Sequence, residues 1–374
     1  MTAERLRALI ARRAGAGEPH LAVFARLLVA RAEGYIDRLA EEEGFGLISS
    51  AYRFYAAPGP ELRVRAITPT YVTEGWDAAV SVIETCMPDR PFVVDTIRET
   101  LQACGVEVRA VLHPIFGARR DPTGALEALA LPEETERRES FVHVAVPRFT
   151  DAAALARLGA EVEARLNDLR LVTDDFPAMV ARAQAVASDL DALARRGPAS
   201  IAGEATAVAE FVRWLADGAF VFLGYREYGL TPRDGATVLA LRPGTGLGLL
   251  RREHDSVFAD PRPVDELPEP VRARLFGARL LTVAKTVAVA PVHRRVRMDD
   301  VGVKEFDADG RVSGERRFLG LFTSKAYAEE ASDIPLLRRM LSQIVAAEQV
   351  LPGSHDHKEL VAVFNALPKT ELFA

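Results

Sequence analysis

The stretch "ETCMPDRPFVVDTIRETLQACGVEVRAV", residues 84–111, decides the fold of the first half of the chain. Residues 79–85, at its start, alternate apolar and polar side chains as a strand does, and residues 106–112, at its end, alternate again. Between them, four apolar side chains recur at helical spacing: Val93, Ile97, Leu101 and Cys104. The stretch therefore predicts a strand, a helix and a second strand.

The two ends of this helix carry further signals. Asp89 is a residue type that caps helix N-termini, and Pro91 suits a first helical turn because its missing N–H would have no partner there. Gly105 predicts the end of the helix, since glycine readily adopts the left-handed conformation of a C-terminal cap. Backbone N–H groups at a helix start can hold a carboxylate. The connection around Asp89 is therefore a candidate binding loop as well as a turn.

More elements follow in the same pattern. Residues 141–146 read as another strand, and the helix after them has apolar residues at helical spacing: Leu155, Leu158, Val162, Leu166 and Leu169. The order β-α-β-β-α predicts an open sheet with both helices on one face, as in a ferredoxin-like fold. Residues 62–67 would add an edge strand, and no convincing last strand follows. Ahead of the sheet, residues 21–40 predict an amphipathic helix.

The pattern changes to strands at Phe220. Helices are predicted before it, at residues 179–193 and in a segment that Gly218 ends. Five strands come next, the last two joined by an Asp309–Gly310 hairpin turn, which predicts an antiparallel α+β module. From residue 334 the chain is predicted to be helical again, with Pro335 in the first turn. The patterns divide the chain into residues 1–57, 58–197, 198–330 and 331–374.

Composition excludes some classes of protein. The 374 residues include 47 basic and 53 acidic side chains, a net charge of −6, which is not the basic footprint of a dedicated nucleic-acid binder. No uncharged apolar run of about 18 residues is present, so we expect no membrane span. Cys86 and Cys104 form no framework of paired cysteines, which favours a reducing cytoplasm.

The glycine-rich segment "RPGTGLGLLRR", residues 242–252, offers Gly244, Gly246 and Gly248. A dinucleotide fingerprint needs GxGxxG between a parallel strand and a helix. The spacing here is GxGxG among strands that read as antiparallel, so we interpret the segment as a connection within its module.

A second segment, "GSHDHKE", carries the metal-ligating residue types His355, Asp356, His357 and Glu359. Histidines at i and i+2 do not share a helix face, so a zinc site would need a loop geometry and a third ligand. Ser354 as a helix cap explains the segment without a metal.

The remaining candidates read as structural. The basic segment "HRRVR", residues 293–297, is interpreted as the outward charges of an edge strand. His113 and His143 fall in predicted strands and are expected to be partly buried structural residues. No base can be named for either cysteine as a nucleophile, and no catalytic set of side chains can be assembled. The expected catalytic, cofactor and metal residues within this chain are therefore none.

Several stretches together resemble one family. They are "MPDRPFVVDTIRETL" (residues 87–101), "FVFLGYREY" (220–228), "VGVKEFDADGRVSGERRFLGLFTSKAY" (301–327), "IPLLRRMLSQIV" (334–345) and "PGSHDHKELVAVFNALPKTELF" (352–373). This set is similar to the N-terminal regulatory part of the large bacterial NAD-dependent glutamate dehydrogenases, from about residue 21 onward. The resemblance implies an ACT domain first, then a PAS-like or second ACT-like module from Phe220.

The resemblance also implies a site and partners. ACT domains bind effectors at the loop after the first strand, here Pro88, Asp89 and Arg90, although the glycine usual in this loop is absent. The family's catalytic domain and NAD site lie far downstream, so we expect NAD in the parent enzyme and no cofactor here. Expected partners are further copies of the chain through sheet edges, the downstream catalytic domain and an amino-acid effector, with neither nucleic acid nor membrane. The last residues look like a chain cut inside a helical connector.

Three functions follow from these readings. The first is the regulatory and assembly region of an enzyme that converts L-glutamate and NAD to 2-oxoglutarate, ammonia and NADH. The second is a free-standing ACT/PAS-type regulator that binds an amino acid. The third is a small dinucleotide enzyme that uses the loop from Gly244 to Gly248, and the strand pattern disfavours it.

Overall fold

A computed structural model provides the structure, which describes residues 6, 8–10, 13, 20–32, 34–233, 235–256, 258–367 and 369–372. Contacts within the chain divide it into two compact units. The first comprises Met1–Arg170 and Pro291–Arg295, and the second Leu171–Ala290 and Val296–Ala374. The finer four-part division made from the sequence stays a prediction.

Helices α1 (Leu21–Ala30) and α2 (Glu41–Ala56) precede the sheet of the first unit. The predicted helix over residues 21–40 was too long, because α1 ends at Ala30 and only a short 3-10 turn, Ile36–Arg38, follows. Helix α2 escaped the sequence analysis. It contains Gly46, where an added Cβ would lie 2.5 Å from the carbonyl oxygen of Gly75, so its glycine serves close packing.

Antiparallel strands of different lengths form the sheet of the first unit. In the described part of that unit the strands are β1 (Arg63–Ile67), β2 (Val80–Pro88), β3 (Ala110–Leu112), β4 (Ile115–Arg120), β5 (Leu126–Ala130) and β6 (Arg138–Pro147). Their order is β1-β2-β6-β4-β5, β3 also pairs with β6, and all these pairings are antiparallel. The predicted edge strand at residues 62–67 is confirmed as β1.

The opening stretch folds as a strand and a helix, with one correction at its end. Helix α3 (Val93–Ala103) ends beside Gly105, whose φ of 71° is the left-handed cap that the sequence predicts. The Val106 N–H returns to the Leu101 carbonyl at 2.9 Å. Val106 therefore closes the helix cap, and the second strand is only β3, just ahead of which the Arg109 N–H donates to the Ala145 carbonyl of β6 at 2.9 Å.

Both faces of this sheet are covered. The side chains of Val82 and Cys86 point to the face on which α1 and α2 build an apolar core. Within that core the rings of Phe24 and Phe116 stack with centroids 5.0 Å apart. Ile83 and Met87, on the opposite face of β2, are fully buried as well. Strand β2 is therefore buried on both faces, and its polar residues Ser81, Glu84 and Thr85 are buried with it.

One long helix, α4 (Ala152–Arg196), replaces the two that the sequence predicts. It has 45 residues and carries Pro177 inside it, so the polar residues around 171–176 are helical and belong to no strand. The predicted apolar positions of both segments are buried, including Leu166 and Met179, except Leu193, which is partly buried. The helix begins in the first unit and ends in the second.

The second unit is built on an antiparallel sheet, as predicted. Its described strands are β7 (Phe220–Arg233), β8 (Ala236–Leu241), β9 (Leu247–Gly248), β10 (Arg262–Pro263), β11 (Leu281–Val289), β12 (Arg297–Phe306) and β13 (Val312–Phe322). The order is β10-β8-β7-β13-β12-β11, with β9 on β7. Gly310, with φ of 78°, makes the predicted turn between β12 and β13.

Helices complete the second unit. They are α5 (Ala199–Trp214), α6 (Glu269–Phe276), α7 (Ser324–Ala328), α8 (Pro335–Ala347), α9 (His355–Ala366) and α10 (Lys369–Leu372). Gly218, with φ of 87°, ends the segment after α5 as predicted, and Pro335 opens α8 as predicted. Val208, Phe318 and Leu337 share one core, which joins α5, the sheet and α8.

Candidate functional site

The predicted effector loop lies between β2 and α3. Strand β2 ends at Pro88, and the Asp89 N–H donates to the Arg138 carbonyl at 2.9 Å. Helix α3 does not start at Pro91, and Asp89 does not cap it. The N-cap is Phe92 in a left-handed conformation with φ of 70°, and no side chain caps the helix. Pro88, Asp89 and Arg90 are each half-buried, and their role in binding stays a prediction.

The segment Pro291–Arg295, which belongs to the first unit, lies against the start of α3. The His293 and Phe92 rings have centroids 4.1 Å apart, and the His293 N–H donates to Thr96 Oγ1 at 3.1 Å. Burial lowers the pKa of His293, and neighbouring Arg294 lowers it further. The prediction of an edge strand over residues 293–297 was wrong for residues 293–296, because β12 begins only at Arg297.

A buried ionic cluster ties β6 to β4 and α2. Arg120 donates through Nε to Glu139 Oε1 and through Nη2 to Oε2, both at 2.9 Å. The Tyr55 hydroxyl donates to the same carboxylate at 2.9 Å. Burial and then the Glu139 charge raise the pKa of Tyr55. All three side chains are buried, so the cluster cross-links the unit and offers no group to a substrate.

A second buried cluster accounts for His143. Its Nδ1 lies 2.8 Å from Glu84 Oε1, and Arg65 Nε donates to Glu84 Oε2 at 2.6 Å. Burial alone would raise the pKa of Glu84, but the charges of Arg65 and His143 outweigh it and lower that pKa. His143 is fully buried, more deeply than predicted. His113 is half-buried, with Nε2 2.7 Å from Ser140 Oγ, as predicted for a structural residue.

The cysteines offer no activated thiolate in this arrangement. Cys86 is buried, and burial followed by the nearby Glu139 charge raises the pKa of its thiol. A raised pKa lowers the thiolate fraction that a nucleophile requires. Cys104 is exposed, and both cysteines are free thiols.

The glycine-rich segment is a connection between antiparallel strands. It links β8 to β9, and Gly248 donates its N–H to Asp175 Oδ2 of α4 at 2.7 Å. Arg251 Nε reaches the same oxygen at 3.0 Å. Gly248 has φ of 57°, and a Cβ there would lie 2.3 Å from the Leu223 carbonyl. The glycines thus serve the fold, as the sequence analysis interpreted them.

The histidine-rich segment begins α9. Ser354 is its N-cap and accepts the His357 N–H at 3.2 Å, which confirms the predicted cap. His355 Nε2 lies 2.9 Å from Glu359 Oε1, one helical turn away. Among the residues that the structure describes, no group of three metal-ligating side chains comes together. None of the helices in those same residues has the length and apolarity to cross a membrane.

The second unit contains a cavity that no sequence pattern predicts. It has a volume of about 270 Å³ and lies between α4 and the strands β12 and β13. Helix α4 contributes Val186, Leu190 and Leu193, which share one helical face. The sheet contributes charged side chains from distant parts of the sequence. No local sequence motif predicts such a site, because its residues come from three parts of the chain between Val186 and Arg316.

Two glycines make room for one of these charges. Gly229 on β7 and Gly314 on β13 face each other across the strands. A Cβ at Gly314 would lie 3.0 Å from Arg242 Nη2, and one at Gly229 would lie 3.2 Å from Arg242 Nε. The guanidinium group of Arg242 therefore packs against the backbone of these two glycines, and its Nη2 lies 2.5 Å from Glu305 Oε2.

Acidic and basic side chains alternate in a network of ion pairs beside the cavity. Arg242 Nη1 donates to Glu227 Oε2 at 3.1 Å, and Arg316 bridges Glu305 through Nε and Asp189 through Nη1, the latter at 2.6 Å. Burial would raise the pKa of Glu227, but hydrogen bonds from Tyr225 and Arg242 lower it. The pKa values of Arg242 and Arg316 are raised by their carboxylate partners against burial. Glu227, Arg242 and Arg316 are therefore charged at neutral pH.

These features define a class of protein: an α+β chain of two units in which several buried carboxylates, among them Glu84, Glu139 and Asp300, are held in ion pairs. Residues 26–162 match the family model described as the ACT1 domain of glutamate dehydrogenase, and residues 334–374 match its helical motif 1. The chain corresponds to the N-terminal region of the large NAD-specific glutamate dehydrogenases, as the sequence analysis expected.

Three curated relatives carry the name NAD-specific glutamate dehydrogenase. The one from Halomonas elongata is 31% identical over 337 residues, which cover 88% of this chain and 20% of the relative. The one from Pseudomonas aeruginosa is 30% identical over 323 residues, with 84% and 19% covered. The one from Mycobacterium tuberculosis is 28% identical over 285 residues, with 75% and 16% covered. The chain thus spans about a fifth or less of these relatives.

Proposed function

We propose that this chain is the regulatory and assembly region of an NAD-dependent glutamate dehydrogenase. The parent enzyme would oxidise L-glutamate with NAD to 2-oxoglutarate, ammonia and NADH, on polypeptide outside these 374 residues. The observation that carries the proposal is the pair of family matches, an ACT1 domain and a helical motif, over a fifth of enzymes with that name. The finer identity of the second unit, PAS-like or ACT-like, is a further part of the proposal.

The arrangement of ionisable groups supports this reading. Glu84, Glu139 and His143 are buried in ion pairs and hydrogen bonds, and the Cys86 thiol is buried with a raised pKa. Acid–base or nucleophilic catalysis needs such groups within reach of a substrate. Free thiols at Cys86 and Cys104 suit the cytoplasmic location that belongs to the proposal.

A spectrophotometric assay tests the catalytic part of this proposal. The purified chain, supplied with L-glutamate and NAD, is expected to give no NADH signal above a protein-free blank. The intact Halomonas elongata relative, assayed in parallel, shows that the conditions support the reaction named for it. Glutamate-dependent NADH formation by the chain alone, retained through repeated purification, would contradict the proposal.

Regulation and assembly are the roles left to the chain in this proposal. An amino-acid effector would act by binding two states of the parent enzyme with different affinity. Assembly would use the edges of the sheets. Strand β11 is an edge strand of the second sheet, and its apolar residue Val287 is 93% exposed. An exposed apolar edge strand is a template for pairing with another strand.

A further inference from the structure

The cavity of the second unit has an apolar wall and a polar side. Its volume of about 270 Å³ falls just under the range of about 300–1,000 Å³ that drug-sized ligands occupy, so it suits a smaller molecule. The apolar wall comes from Val186, Leu190 and Leu193, which share one face of α4, and from Phe306 at the end of β12. A ligand that fits this cavity therefore has a short apolar body and a polar end.

The residues that line the cavity carry more positive than negative charge. Among the described residues, the lining includes two acidic and three basic ones: Asp189, Glu305, Arg242, Lys304 and Arg316. The Lys304 ammonium group donates to the Gly277 carbonyl, so it already has an acceptor. An excess of positive charge around a cleft attracts anions, and the polar end of the ligand is therefore expected to be negative.

Both carboxylates of the lining are already held in ion pairs. Glu305 contacts Arg242 and Arg316, and Asp189 contacts Arg316. Neither carboxylate is therefore a free acceptor for an ammonium group. A cationic or zwitterionic ligand would have to displace a guanidinium group from one of them, which is costly at Glu305 because its side chain is only 12% exposed.

The bonding capacity that remains belongs to donors. Arg316 uses Nε for Glu305 and Nη1 for Asp189, and its Nη2 makes no hydrogen bond to the residues that the structure describes. Ser313 also lines the cavity, and its hydroxyl has no hydrogen-bond partner in that same part of the chain. A guanidinium N–H and a hydroxyl are thus both available on strand β13, three positions apart.

A β-bulge sets the position of Ser313. The pairing of β12 with β13 changes register here, since Glu305 lies opposite Gly314 and Phe306 lies opposite Val312. Ser313 is therefore the extra residue of β13 and has no partner on β12. Bulges of this kind redirect a side chain and are common beside binding sites.

We propose that this cavity binds a small aliphatic monocarboxylate. Its carboxylate accepts from Arg316 Nη2 and from the Ser313 hydroxyl, and hydrogen bonds of this charge-assisted kind are the strong ones. Its hydrocarbon chain packs against Leu190 and Leu193. This inference rests on the proposed regulatory function for its role and deepens it by naming a class of ligand. Its test measures binding to this chain alone and involves no dehydrogenase reaction, so either proposal can fail while the other stands.

Three compounds with the same branched skeleton test the charge of the ligand. Titration calorimetry of the 374-residue chain is expected to show 4-methylpentanoate binding at one site, with a dissociation constant below about 10 mM. The uncharged 4-methylpentan-1-ol is expected to bind at least about tenfold more weakly, because it forms no hydrogen bond as a charged acceptor. L-Leucine is expected to be weaker by at least the same factor, because its ammonium group finds no free acceptor. Absence of 4-methylpentanoate binding overturns the proposal, and so does an alcohol or L-leucine affinity within tenfold of it.

A matched pair of serines locates the site. Ser313 lines the cavity, whereas Ser188 is exposed on α4 and donates to the Gln184 carbonyl. Ser313→Ala is expected to weaken 4-methylpentanoate binding about tenfold, and Ser188→Ala to change it less than about twofold.

A larger side chain at the same position provides a second variant. Ser313→Trp, which fills the cavity, is expected to abolish 4-methylpentanoate binding, and circular dichroism shows whether the variant is folded. If it does not fold, Ser313→Ala decides alone. A loss of less than about threefold in either folded Ser313 variant overturns the location.

Discussion

At the scale of single residues, the buried carboxylate of Glu139 makes the sharpest stability prediction. Arg120 and Tyr55 both bond to it inside the first unit. Removing one partner of a buried pair leaves an uncompensated charge, so Glu139→Gln should destabilise the first unit by about 3–5 kcal/mol. Urea unfolding checks this through the fluorescence of buried Trp76, in a Trp214→Phe background so that the signal comes from the first unit.

The control for this prediction is the exposed ion pair of Arg119, the residue that precedes Arg120 on β4. Arg119 pairs with Glu127 on the surface, where the two side chains are 72% and 48% exposed. Exposed pairs contribute little, so Glu127→Gln should change the stability by less than about 1 kcal/mol. Equal losses in the two variants would show that burial of Glu139 does not determine the stability of this pair.

The same residues explain what the sequence could not reveal about the first unit. The patterns of apolar side chains predicted β2, β6 and helix α3, because the apolar faces of these elements are intact in the sequence. Strand β4 was missed because Arg120, a charged residue, is buried in it by its ion pair. Helix α2 was missed because glycines interrupt its apolar pattern, and the role of Gly46 appears only in its close packing on Gly75 and Trp76.

At the scale of elements, the edge strand β11 carries a prediction about assembly. Val287 is 93% exposed on a strand with one described neighbour, β12. A charge at such a position blocks edge-to-edge pairing. Val287→Lys should therefore shift the chain toward a smaller oligomer in light scattering. Val72→Lys, at a 96% exposed loop position of the first unit, is the matched control and should leave the mass unchanged.

Two outcomes would contradict this assignment of the edge. One is a wild-type chain that is monomeric at every concentration measured. The other is an oligomer that Val287→Lys leaves intact, which would move the assembly surface away from β11.

At the scale of the whole molecule, the predictions that depend on adjacent residues were confirmed more often than those that depend on residues far apart in the sequence. The cap at Ser354 and the turn at Gly310 were predicted because each depends on a few adjacent residues. The predicted cap at Asp89 was wrong. The N-cap is Phe92, whose ring packs against His293, a residue about two hundred positions further along the chain. The cavity of the second unit joins Asp189, Arg242 and Arg316, and only the strand register and the path of α4 bring them together.

Both units contain buried carboxyl groups with lowered pKa values, so the stability of both depends on pH. Glu84 in the first unit and Glu227 and Asp300 in the second all have pKa values below their ordinary values of 4.5, 4.5 and 3.8. Burial opposes ionisation of each, and neighbouring cations or hydrogen bonds outweigh it. A carboxyl group with a lowered pKa in the folded state stabilises the fold above its unfolded pKa. It loses that contribution as pH falls through the folded value.

The chain should therefore be most stable near neutral pH and lose stability as pH falls below about 4.5. Glu84→Gln isolates one contribution, because glutamine resembles the protonated carboxyl group in shape and has no charge. The difference in urea midpoint between the wild type and Glu84→Gln should be largest at pH 7 and shrink steadily toward pH 3. Both proteins are followed by Trp76 fluorescence in the Trp214→Phe background. A difference that stays constant over this range would mean that Glu84 has the same pKa in the folded and unfolded chains, contrary to its place between Arg65 and His143.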